Sequence, residues 1–76
     1  MIIYTLHVIH AIISPYGELL KAYDHEYYYR SANAAASARN DNKPGLITKL
    51  YRNGDIDTIL DAYITAATYS NDKKAA

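Results

Sequence analysis

The chain of 76 residues has no cysteine, no tryptophan and no phenylalanine, and only three glycines and two prolines. Neither sign of charge dominates: eight Lys and Arg balance eight Asp and Glu. Each absence closes a route. Without cysteine there are no disulfides, no thiol chemistry and none of the common structural zinc frameworks, and the composition suits a reducing compartment. A formal charge of zero leaves no global field to draw the chain to nucleic acid or to an anionic membrane. Gly17, Gly45 and Gly54 are too scattered to build a phosphate-cradling loop. The apolar run from Met1 to Ile13 is interrupted by His7 and His10. It falls short of the roughly 20 residues that a bilayer span requires, and it lacks the charged leader and cleavage site of a secretory signal. These features predict a cytoplasmic protein with no membrane partner.

A chain of this size forms one domain, here residues 1–76, and buries only about 60–65% of the surface that it exposes when unfolded. Lacking disulfides, it must draw its stability from tight packing or from a partner subunit. The aromatic content is nine tyrosines, side chains that fill volume while keeping a hydroxyl that needs a partner or water. Such rings suit the margin of a core or an interface.

Between residues 1 and 14 the β-branched content favours a strand. The polar residues His7, His10 and Ser14 nevertheless recur at i, i+3 and i+7, opposite Ile2, Leu6, Ile9 and Ile13, as on an amphipathic helix. No second strand offers itself as a pairing partner, so the helical reading is preferred. Ser14-Pro15 reads as a helix start, and nothing obvious breaks a helix from Tyr16 to Arg39. Asn40 to Gly45 is dense in turn formers. Asn53-Gly54 reads as a helix stop and Asp55 as the cap of a final helix. The apolar face of that helix would be Ile56, Ile59, Leu60, Tyr63 and Ala67, with Asp57 and Asp61 facing water. The expectation is an all-α bundle of three to four helices, at about 2–14, 16–39, 45–53 and 56–70, with residues 71–76 as a frayed tail.

Within the long helix, DHEYYYRSANAAASARN (residues 24–40) combines three successive tyrosines with a tract of small residues. At roughly 100° per residue the three rings cannot share a face. Tyr27 would turn inward, leaving Tyr28 and Tyr29 on a second side with Ala32 and Ala36. Aromatic anchors beside small residues suit a binding surface. The expected partner-binding residues are Tyr28, Tyr29, Arg30, Ala32, Ala36, Arg39 and Arg52, and the partner is another protein or a second copy in a homodimer.

No catalytic or cofactor motif is present. His7 and His10 at i, i+3, with Asp24, His25 or Glu26 beside them, are permissive for a metal but not specific, so no metal and no cofactor is assigned. Residues 39–52 carry four basic side chains against the single Asp41, a net charge of +3. Arg39, Lys43, Lys49 and Arg52 therefore form an alternative nucleic-acid-binding set, although the acidic segment after it would repel phosphate. A third alternative is a small planar ligand stacked on the tyrosines. The functional expectation is a non-enzymatic protein–protein interaction module that binds or blocks a larger target. A chain this small and free of motifs also fits a virus- or plasmid-encoded inhibitor of a host or defence protein.

Overall fold

The computed structural model describes residues 1–69 and overturns the all-α expectation. The chain is an antiparallel sheet of four strands with one short helix: β1 (Ile2–Ile13), β2 (Leu19–Tyr29), α1 (Ala32–Asn40), β3 (Ile47–Leu50) and β4 (Ile56–Thr68). The sheet order is β2-β1-β4-β3. Among the expected helices, those at 2–14, 45–53 and 56–70 are replaced by strands and turns. The one at 16–39 is a hairpin arm followed by a nine-residue helix. The tail expected at 71–76 lies outside the described residues.

β1 was set aside as a strand for want of a partner, and it has two. It pairs with β2 from Tyr4↔Tyr29 to Ile13↔Leu19, and with β4 from Ile2↔Thr68 to Ile13↔Ile56. Once a strand is paired on both edges, its β-branched residues are an asset. The absence of a strand pattern in β4 has a physical origin. The β1–β4 register jumps from Ile9↔Asp61 to His10↔Ile59, so Leu60 is an extra residue in a β-bulge. The bulge shifts the two-residue alternation by one. No unbroken period of two therefore marks β4 as a strand: Ile56 and Tyr63 pair with Ile13 and His7 on one face, and Ile59 pairs with His10 on the other.

The turn chemistry foreseen for helix ends serves hairpins. Ser14 Oγ accepts from the Tyr16 and Glu18 amides, and Gly17, at φ 85°, closes the β1–β2 connection by donating its N–H to the Ser14 carbonyl. In the β3–β4 connection Gly54, at φ 92°, donates to the Tyr51 carbonyl, while Asn53 Oδ1 accepts from the Asp55 amide.

The alanine tract does form a helix. Ser31 caps it, accepting from the Ala34 amide, and small side chains let it lie close to the sheet. Ala35 is fully buried, and Ala38 and Tyr29 pack on the core of Leu6, Val8 and Ile59. The helix covers about 14 Å of the sheet's length, whereas the molecule measures 53 × 27 × 16 Å. Its radius of gyration of 16.0 Å compares with about 11 Å for a compact domain of this length. The fold is a long, thin sheet with a small core.

The two hairpin turns touch. A Cβ on Gly54 would stand 2.8 Å from Pro15 Cγ, whereas one on Gly17 would meet nothing within 4 Å. Both positions have left-handed backbone, so alanine strains each, by about 1–2 kcal/mol. Gly54→Ala carries the added clash with a proline ring. Urea unfolding is expected to rank the variants wild type, Gly17→Ala, Gly54→Ala in falling midpoint. Equal midpoints for the two variants would contradict the packing of one turn on the other.

Candidate functional site

Alternation along the strands sorts the polar and aromatic side chains onto two faces. On the helix-bearing face the sheet carries a polar cluster centred on Asp57, which is only 4% exposed. Asp57 Oδ1 lies 2.7 Å from His10 Nδ1 on β1 and accepts from Thr48 Oγ1 on β3 at 3.1 Å. Asp57 Oδ2 accepts a short hydrogen bond from the Tyr23 hydroxyl on β2. One carboxylate on β4 thus binds side chains from the other three strands. Thr48 reaches it because the β3–β4 register jumps between Ile47 and Lys49, leaving Thr48 as an extra residue in a bulge.

The cluster has matched electrostatics. Burial alone would raise the Asp57 carboxyl, but the hydrogen bonds from Tyr23, His10 and Thr48 outweigh it and hold the group below the usual aspartate range. The hydrogen bond to Asp57, reinforced by desolvation, pushes the Tyr23 phenol up to about 12. His10 is 8% exposed and stacks flat on Tyr23, with ring centroids 4.8 Å apart. A carboxylate on Nδ1 orients an imidazole as a general base requires. Here both groups are enclosed by the strands they join, and the cluster acts as a tie between strands.

The opposite face carries a second cluster. His7 Nδ1 lies 3.2 Å from Asp24 Oδ2 and 3.5 Å from Glu26 Oε2, and His7 Nε2 lies 3.1 Å from Thr65 Oγ1. Tyr63 stacks on the imidazole at 4.7 Å. The Tyr28 hydroxyl donates to Glu26 Oε1 at 2.7 Å, and that carboxylate raises the Tyr28 phenol. Asp24, Glu26 and Tyr28 share this face because they are spaced by two along β2.

The residues expected to bind a partner do not gather into one surface. Tyr28 is 64% exposed beside Glu26, while Tyr29, its neighbour in a strand, turns to the other face and packs on the core. Tyr27, expected inside, is 40% exposed and stacks on His25 at 4.6 Å. Arg30 is exposed in the bend before α1, Ala32 and Ala36 are exposed on α1, and Arg52 lies in the β3–β4 turn. Of the basic set, Arg39 and Lys43 line a cleft of about 300 Å3 together with Asn40, Asn42, Pro44, Asp61 and Ala62. Lys49 lies on β3 with its Nζ 4.7 Å from the Tyr51 ring centre. His7 and His10, weighed as a metal-binding pair on one helical stripe, are separated onto opposite faces. The Asp57 cluster was missed because Asp57 was placed on the wet side of a helix. His7 was weighed beside Asp24 and Glu26, and their i, i+2 spacing, which sets both on one face of a strand, is the sign that goes with the cluster.

No helix among the described residues is long and apolar enough to cross a membrane. No family model, curated protein or solved structure matches the chain.

Removing the Asp57 charge tests the cluster. Hydrogen bonds to a charged group contribute about 1.5–3 kcal/mol each, so Asp57→Asn is expected to cost about 2–3 kcal/mol of stability at neutral pH. Tyr23→Phe should cost less. Because the folded carboxyl sits below its unfolded value, its contribution is complete above pH about 4. It is lost as pH falls through the folded value. The gap between wild type and Asp57→Asn in chemical denaturation should therefore narrow below pH about 4. A gap that stays constant down to pH about 2 would contradict an ionised, hydrogen-bonded Asp57.

Proposed function

We propose that this chain is a non-enzymatic protein–protein interaction module that works by extending its sheet, and that its partner is a second copy of itself. The observation that carries this reading is the free edge of β4. β3 pairs only with the first part of β4, Ile56 to Thr58, and the flanking Leu46 and Gly45 bond to Ile59. Beyond the bulge at Leu60 the outer edge of β4 has no strand beside it among the described residues. The Tyr69 amide bonds to the Met1 carbonyl, so alternation turns Thr65 and Ala67 toward β1 and leaves Ile64, Ala66 and Thr68 facing outward. The first outward amide, Ala62, is turned back onto its neighbour's carboxylate, Asp61 Oδ1, at 2.9 Å.

Composition favours this edge over the one on β2. The outward residues of β2 include Asp24 and Glu26, charges that discourage a second strand. From Ala62 to Thr68 β4 carries no charge, no proline and no glycine, the composition of a strand that pairs readily. An antiparallel pair of β4 strands centred on Ala66 sets Ile64 opposite Thr68 of the second copy and brings no like charges together. The thinness of the molecule supports the same reading. Five fully buried hydrophobic residues among the described residues, two of them alanines, are a small core, and chains of this size commonly complete theirs by association. The cleft beside α1 favours protein over nucleic acid, because Asp61 shares it with Arg39 and Lys43 and would oppose a phosphate.

Sedimentation velocity over a concentration series tests the reading. The wild type is expected to be dimeric at tens of micromolar, an affinity of about 6–7 kcal/mol. Ala66→Pro removes an outward amide without disturbing the β1 ladder. It should weaken the dimer by about tenfold or more while leaving the circular dichroism spectrum unchanged. A wild type that stays monomeric, or a folded Ala66→Pro that dimerises as well as wild type, would overturn it.

A further inference from the structure

We propose that His7, Asp24 and Glu26 form a binding site for one divalent transition-metal cation, of which Zn2+ is the natural probe. The sheet register builds the site. Glu26 stands directly across from His7 in the β1–β2 ladder, and Asp24 lies two residues along on the same face. One nitrogen and two oxygen donors converge, all within 4.8 Å of one another. Ligands at 2.0–2.1 Å from a tetrahedral Zn2+ lie about 3.3–3.4 Å apart. The His7 Nδ1 separations from the two carboxylates, 3.2 and 3.5 Å, match that edge. The carboxylates are 38% and 42% exposed, and Asp24 has room to close the remaining edge on Glu26, which Tyr28 holds in place. The fourth position faces solvent.

The outer contacts of each ligand favour the same use. Metal-binding imidazoles commonly have their second nitrogen held by a hydrogen-bonding group, which fixes the ring and frees the ligating atom. Here Thr65 Oγ1 engages Nε2 and leaves Nδ1 toward the carboxylates. Tyr63 lies parallel to the imidazole, at an interplanar angle of 9°, and fixes its plane. The Tyr28 hydroxyl bonds Glu26 Oε1 and leaves Oε2 toward His7. Charge points the same way. Among the described residues no Lys or Arg pairs with Asp24 or Glu26, so no side chain of fixed positive charge offsets the two carboxylates. A divalent cation takes the Nδ1 lone pair of the tautomer whose proton is on Nε2, where Thr65 Oγ1 accepts it. Mixed nitrogen and carboxylate donors suit Zn2+ better than Mg2+ or Ca2+, which prefer all-oxygen shells.

The test is calorimetric titration of the full chain with Zn2+. The expected result is one Zn2+ per chain at micromolar affinity or tighter, with a perturbed His7 Nδ1 signal in nitrogen-15 spectra. The double variant Asp24→Asn/Glu26→Gln, both exposed positions, should remain folded and bind at least about tenfold more weakly. Thr65→Val should reduce affinity by a smaller factor. His25→Gln removes a nearby histidine outside the site and should leave binding unchanged. The site is overturned if wild type shows no binding at 100-fold molar excess, on the order of millimolar Zn2+. It is equally overturned if a folded double variant binds as well as wild type, if His25→Gln abolishes binding, or if Mg2+ binds as tightly as Zn2+.

Discussion

Asp57 is the point on which the four strands converge. It sits on β4, and its two oxygens engage His10 on β1, Tyr23 on β2 and Thr48 on β3. A buried carboxylate with three partners is favourable only while all three remain in place, since an unpaired buried charge is costly. Satisfying Asp57 therefore fixes the relative registers of strands whose apolar residues alone would specify them weakly. In a sheet with so small a core this polar tie takes on part of the work that packing does in larger domains. No buried side-chain polar atom among the described residues is left without a partner.

The same registers decide what each face presents. Because neighbouring residues in a strand point to opposite sides, the YYYR segment divides between them. Tyr29 reaches the core, whereas Tyr28 supports a carboxylate on the opposite face. The helix covers one face only in part, and β3 is too short to cover the edge of β4. The sheet thus offers a polar cluster on one face and an uncharged strand edge at its side. The proposed cation site and the proposed dimer edge rest on different atoms, and either proposal can fail without the other.

Much of the local structure was legible in the residues. Ser14-Pro15-Tyr16-Gly17, Asn53-Gly54 and the stretch from Asn40 to Gly45 all mark reversals, and the alanine tract after Ser31 is helical. What the residues did not reveal was what joins those reversals. Ser14 Oγ accepts backbone amides equally well at a helix start and in a hairpin turn. The bulge at Leu60 breaks the strand alternation, so nothing in β4 opposes the helical spacing of Ile56, Ile59, Leu60 and Tyr63, residues that the fold divides between two faces. Once β4 is read as a helix, β1 loses its partner and β2 follows. Asp57 then looks like a wet surface charge, and the site it organises disappears from view. The bulge is one source among several: His7, His10 and Ser14 give β1 a helical stripe of its own, Ser14-Pro15 resembles a helix start, and long-range pairing leaves no local mark.

The fold stands on Asp57 being an ionised hub shared by all four strands. Titration of its side-chain carbonyl by carbon-13 NMR measures that state directly. The predicted result is a midpoint below the ordinary aspartate value of about 3.9, with the signals of His10, Tyr23 and Thr48 shifting at that same midpoint. A carboxyl that titrates at or above the ordinary value, with those three residues indifferent to it, would contradict the account.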